Sequence, residues 1–151
     1  MTYSERGAWI VDLAPGNRGS ARALPSPSDS HVFLPGSWSP DGRSLSGVVF
    51  RLDGQNPDGL WVYSLESGRY QRLTDFGNQS AWLRDGRRLL FRRLRPEGGI
   101  FLFDTRSKES RQVLAVPRIG VRASLRLSRD NRLISFVETA TEGDVWLMTF
   151  R

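Results

Sequence analysis

The amino-acid sequence predicts an all-β chain, on three observations. One phrase is written three times: WSPDGRSLSGVVF from Trp38, WLRDGRRLLF from Trp82 and LSRDNRLISF from Leu127, at spacings of 44 and 45 residues. Each copy sets a tight-turn signal between an aromatic or Leu and an apolar run, which reads as strand, turn, strand. No window sustains a 3.6-residue apolar period with caps, so essentially no helix is expected.

Taken in order, GAWIVDL (7–13) is the first strand candidate, and Pro15-Gly16-Asn17 turns it toward SARAL (20–24). SPSDSHVFLPG follows and reads as a loop carrying His31, the one histidine of the chain. Ser39-Pro40-Asp41-Gly42 then suits a type I turn: Ser first, Pro second with its preset φ, Asp third, Gly last. The second copy keeps Asp85-Gly86 and the third has Asp130-Asn131; Asn tolerates the left-handed region best among non-glycine residues, so the backbone requirement survives. Downstream of the first two copies lie the paired strands GLWVYSL (59–65) with RYQRLT (69–74) and GIFLFDT (99–105) with ESRQVLA (109–115). GDVWLMTF (143–150) follows the third.

Four short strands every 40–45 residues is the period of a β-propeller blade. The expected architecture is a partial β-propeller of about three and a quarter four-stranded antiparallel blades. Its divisions are a partial blade at 1–36, blades at 37–78 and 79–120, and a partial blade at 121–151. SGVVF and IFLF are nearly continuous apolar runs, as expected where both faces of a sheet are covered by neighbours. Trp38 and Trp82 are expected to pack between blades, with Trp9, Trp61 and Trp146 in the equivalent third strands as core. A chain of this blade count leaves faces uncovered and a strand edge open, so attachment to further blades or self-association is expected.

The WSPDGR turn with its apolar strand, then LWVYSLESGRYQRLT and a Gly/Asn turn before the next Trp, resembles the WD-repeat-like repeats of TolB-type β-propellers. The resemblance covers 37–151 well and 7–25 in part; Leu83-Arg84 and Arg129 depart from the Ser-Pro pattern. It implies a bacterial scaffold for protein–protein contact. The alternative it implies is an accessory or sensor propeller separated from an enzyme (a Ser/Thr kinase or a serine peptidase) or from a DNA-binding regulator.

Composition narrows the chemistry. Of 151 residues 38% are hydrophobic and 25% charged, which fits a folded chain with a core. There is no cysteine, so disulfides, thiolate catalysis and cysteine zinc sites are out. The lone His31 has no second imidazole and no Gly-x-Ser-x-Gly elbow to serve, and no catalytic residue is expected. Asp41, Asp85 and Asp130 recur at one blade position, where turn-forming Asp bonding its own backbone is the stronger reading than a carboxylate ring. DGQNPDG (53–59) has Gln55 where a calcium loop needs Asp or Asn, and lacks the closing Glu, so neither metal nor other cofactor is expected. MTYSERGAWIVDLAPG carries an acid and no long apolar stretch, so it does not read as a secretory leader. The compartment stays open: cytoplasmic as written, periplasmic if cut from a longer exported protein. No apolar run reaches the roughly 20 residues of a membrane span.

The net charge is +6, but all 22 basic residues except Lys108 are arginine and they are scattered from Arg6 to Arg151. Nucleic acid is therefore not the expected partner. The expected contact lies in loops sharing one face, 52–59, 93–99 and 137–143, together with the blade-to-blade connections 75–79 and 116–122. Arg93 and Arg95 in one loop, and Arg118 and Arg122 in the next connection, form a candidate mouth for acidic groups held by bidentate pairing. The expected function is thus a non-catalytic scaffold that binds a protein partner through an acidic surface.

Overall fold

The computed structural model describes residues 7–14, 19, 21–53, 58–94, 98–116 and 125–136. Among them there is no helix, and twelve strands form four antiparallel sheets in chain order. Blade I is β1 (Trp9–Val11) with β2 (Ala21–Ala23). Blade II is β3 (His31–Trp38), β4 (Ser44–Arg51), β5 (Leu60–Ser64) and β6 (Tyr70–Arg72). Blade III is β7 (Asn78–Trp82), β8 (Arg88–Arg93), β9 (Gly99–Asp104) and β10 (Glu109–Ala115). Blade IV shows β11 (Arg126–Leu127) with β12 (Ile134–Ser135); GDVWLMTF lies outside the described residues. Blades II and III are simple meanders, each strand pairing with the next.

The repeated turn is built the same way each time. Gly42, Gly86 and Asn131 donate their amides to the carbonyls of Ser39, Leu83 and Ser128 at 2.9, 3.1 and 2.9 Å. All three sit in the left-handed region, with φ of 70°, 65° and 60°. That is why Gly recurs there and why Asn is its replacement. The Asp before each completes the turn: Asp41 accepts from the Arg43 amide at 3.0 Å and from Ser39 Oγ at 2.6 Å. Asp130 repeats this with the Arg132 amide and Ser128 Oγ. Where Leu83 replaces the serine, Asp85 takes two amides instead, those of Arg87 and Arg88.

Packing between blades makes the core, in three separate seams. Between blades I and II, Ala8, Ile10 and Leu24 meet Phe33, Leu45, Val49 and Tyr63, and the Tyr70 hydroxyl donates across to the Pro25 carbonyl at 2.7 Å. Between II and III, Leu60 meets Leu89, Phe91, Phe101 and Phe103, flanked by Phe76 and Trp82. Between III and IV, Leu90, Ile100 and Val116 meet Leu125, Leu127 and Ile134. Alternate residues of β8 and β9 thus feed opposite seams, which explains their nearly unbroken burial. Each of the last two seams also carries polar links. Ser80 Oγ donates to Ser46 Oγ at 2.8 Å, Ser46 Oγ bonds the Ser37 carbonyl at 3.3 Å, and the Trp82 amide bonds Ser37 Oγ at 3.0 Å. The Leu125 amide bonds Gln79 Oε1 at 3.0 Å, and the Arg84 amide bonds Asn131 Oδ1 at 2.6 Å.

Three expectations are corrected. His31 is not in a loop; it opens β3, so the blade II sheet begins ahead of residue 37. Trp38 is 48% exposed rather than packed between blades. Its counterpart Trp82 has the inner strand β3 of the preceding blade beside it, its amide bonded to Ser37, whereas blade I offers Trp38 only β1 and β2 among the described residues. Trp9 is likewise 52% exposed, because Ala8 and Ile10 take the side of β1 that faces blade II and Trp9 takes the other. Trp61 and Trp82 do pack against the seams, and Trp146 lies outside the described residues.

Candidate interaction face

Antiparallel register decides which side chains share an end of the blades. His31 pairs with Arg51, Val48 with Leu60, and Trp61 with Arg72, so β3 starts where β4 ends, β5 starts and β6 ends. In blade III, Asn78 pairs with Arg92 and Arg93 with Gly99. The β4–β5 loop, the β6–β7 connection and the β8–β9 loop therefore lie on one face, and the Asp-containing turns lie on the opposite one.

Thr74 organises this face. Its Oγ1 donates to the Phe76 carbonyl at 2.5 Å and accepts from the Leu60 amide at 3.2 Å, while its carbonyl accepts from Arg72 Nε at 3.2 Å. Gly59 must be glycine for this to close: its φ is +89°, and a Cβ there would stand 2.0 Å from the Thr74 carbonyl oxygen. Phe76 is thereby set edge-on to Phe101, with ring centroids 5.6 Å apart, and tilted against Phe91 at the same distance. The Arg93 guanidinium lies 4.8 Å above the Phe76 ring, within cation–π range. At the same end of blade II, Arg72 pairs with Asp58 at 2.8 Å and Arg51 with Asp53 at 2.9 Å.

Of the candidate mouth, Arg93 is described and stands on this face; Arg95, Arg118 and Arg122 lie outside the described residues. Arg92, adjacent to Arg93, points the other way and is 1% exposed, and burial pushes its guanidinium pKa down. Sequence reasoning missed Phe76, the seat of Arg93; its place in a blade-to-blade connection was the only signal.

A cavity of about 200 Å³ opens at the same end of blade II, lined by Pro27, Ser28, His31, Val49, Asp58 and Trp61. His31 Nδ1 is 2.7 Å from Ser28 Oγ and 3.1 Å from Ser30 Oγ. Trp61 Nε1 donates to the Asp58 carbonyl at 3.0 Å.

The repeated aspartates are spent locally. Hydrogen bonds from Ser39 and from Ser128 are the main cause holding Asp41 and Asp130 below the usual carboxylate range. Asp104 is held down to about 2, chiefly by the Arg87 guanidinium. Among the described residues no group of three or more His, Asp or Glu could hold a metal ion, and no helix is long and apolar enough to cross a membrane.

The meandering four-stranded blades, sealed face to face by apolar seams, define a partial β-propeller. Solved structures agree on the class and on its type. TolB from Acinetobacter baumannii matches with a TM-score of 0.62 at 16% identity, over 82% of this chain and 30% of its own. An oligogalacturonate lyase in complex with manganese matches with a TM-score of 0.61 at 14% identity, over 85% of this chain and 36% of its own. The β-propeller domain of the Trilobed protease from Pyrococcus furiosus, described as an open velcro topology, gives 0.52 at 19% identity, over 87% and 45%. At these identities the likeness is one of fold: a TolB-type β-propeller. The chain spans less than half the length of each of these structures. No family model matches it, and no curated protein does.

Proposed function

We propose that the chain is a non-catalytic β-propeller scaffold that binds a protein partner through the arginine-bearing face, engaging acidic side chains or a C-terminal carboxylate. The observation that carries this reading is Arg93, held over Phe76 at the junction of blades II and III. A guanidinium backed by an aromatic face is pre-ordered for planar, bidentate pairing with a carboxylate. The net charge of +6 favours an acidic partner at longer range. On this reading Arg95, Arg118 and Arg122, all outside the described residues, belong to the same contact. The test is binding to an array of glutamate- and aspartate-rich peptides, with Glu placed at Arg93, Arg95, Arg118 and Arg122 together. Binding should weaken with salt, since exposed charges are screened beyond roughly 8 Å at physiological ionic strength. Affinity unchanged by the four substitutions refutes the site. Turnover of peptide or ester substrates lost in His31→Ala would refute the non-catalytic reading.

The neighbour set favours one second reading. It includes a lyase and the propeller domain of a protease, so an accessory propeller beside an enzyme is the alternative, and the repeat resemblance adds a DNA-binding regulator as a further form of it. The coding sequence flanking these residues decides it: a kinase, hydrolase or winged-helix domain in the same frame selects the alternative.

A further inference from the structure

We propose that the cavity beneath His31 receives the side chain of a tyrosine carried by the acidic partner segment, an assignment that rests on the interaction reading above. The cavity is built in advance of any ligand. Its floor is Val49, 1% exposed. Its indole wall is pinned by the bond from Trp61 Nε1 to the Asp58 carbonyl. Asp58 is itself held by its amide on the Val49 carbonyl at 2.8 Å and by Arg72 on its carboxylate. Pre-ordered walls lower the entropic cost of binding.

The size and the lining select the occupant. About 200 Å³ admits one ring and little else, and Trp61, Pro27 and Val49 offer it apolar contact. The polar element is His31, whose Nδ1 is engaged by Ser28 and Ser30, leaving Nε2 for a ligand. A phenol both donates and accepts, so it satisfies Nε2 in either tautomer. A cation gains little here, because the Asp58 carboxylate is already neutralised by Arg72. The cavity and Arg93 are joined by an unbroken run of contacts, Asp58 to Arg72, Arg72 to Thr74, Thr74 to Phe76 and Phe76 to Arg93. One segment with a tyrosine among acids can therefore engage both. Tyrosine anchors in pockets are a common centre of protein interfaces.

The experiment is a titration of the ¹⁵N-labelled chain followed at the Trp61 indole NH, assigned through Trp61→Phe. The probes are N-acetyl-tyrosinamide, N-acetyl-phenylalaninamide and a capped peptide with one tyrosine flanked by glutamates. Both tyrosine probes should shift the Trp61 signal and leave that of Trp38, at the opposite end of the blade, unmoved. Tyrosinamide should bind roughly two- to tenfold more tightly than its phenylalanine counterpart, the worth of one hydrogen bond. His31→Ala should erase that preference, and His31→Phe should erase it while keeping the ring wall. No shift at Trp61 with either tyrosine probe, or equal binding of the two amides, overturns the assignment. If tyrosinamide binds but the glutamates add nothing at low salt, the cavity stands and the acidic-face reading falls.

Discussion

Gly77→Ala should be among the most damaging single-methyl additions in this chain. Gly77 has φ +109°, and a Cβ there would stand 2.6 Å from Phe91 Cδ2 and 2.8 Å from its Cε2. Phe91 has nowhere to retreat: it is 0% exposed and flanked by Phe76 and Phe101 at 5.6 and 5.7 Å. A non-glycine residue at strained positive φ costs about 1–3 kcal/mol. Overpacking a filled core adds about 1–3 kcal/mol, giving roughly 2–6 kcal/mol in all. Gly42→Ala is the internal control, because Gly42 shares the positive φ, at +70°, with nothing within 4 Å of the added atom. It should cost only the backbone part, about 1–2 kcal/mol. Gly42→Asn should cost less still, since Asn131 does the same work in the third copy. Urea midpoints for the three variants, with slopes checked for constancy, measure the differences. A Gly77→Ala variant no less stable than Gly42→Ala would mean that Phe91 can move, and the account of the seam between blades II and III would fail.

Ser46→Ala should destabilise by about 1–3 kcal/mol, because the buried Ser80 hydroxyl loses its acceptor; a urea midpoint equal to the parent's would refute this. Acid should weaken the fold between about pH 4 and pH 2. Asp104 titrates near 2 when folded, so its pairing with Arg87 adds stability above its ordinary value of 3.8 and loses it as pH falls through 2. Asp104→Asn should flatten that dependence in melts recorded at pH 6, 4 and 2.5. Phe76→Leu should keep the chain folded yet loosen Arg93 from its seat. Acidic-peptide binding should then fall about two- to fivefold, the worth of an exposed cation–π contact, and unchanged binding would show that the ring does not hold Arg93.

Much of the blade was legible because turns and strands here obey local rules. ESRQVLA coincides with β10, and GIFLFDT overruns β9 by one residue. His31–Gly36 was misread because Ser, Pro and Gly punctuate the stretch like a loop. In the fold those residues sit on the inner edge of the sheet, where an unpaired side tolerates Pro35 and a bulge falls between Pro35 and Ser37. The tryptophans were half legible: period marks a repeat position, but burial depends on the inner strand of the preceding blade, which lies beside Trp82 and which, among the described residues, blade I does not supply to Trp38. At the candidate face Arg93 was visible, but the burial of its neighbour Arg92 was not. Strand alternation settles that, and a one-residue shift would exchange them. Phe76 carried no periodic signal at all, since it sits between blades rather than in one.

The polar links across the seams have a consequence for how such a chain can change length. Ser37 serves an amide of the next blade, Gln79 serves the one after, and Asn131 reaches back to Arg84. Each of these ties joins neighbouring blades, and the repeats stand 44 and 45 residues apart. A recombination between two copies of the repeat would add or excise one sheet together with one complete seam, leaving the remaining joints chemically intact. Duplicated or shortened versions of the gene should therefore fold around the same joints, and the unit inherited in such events is the junction rather than the sheet.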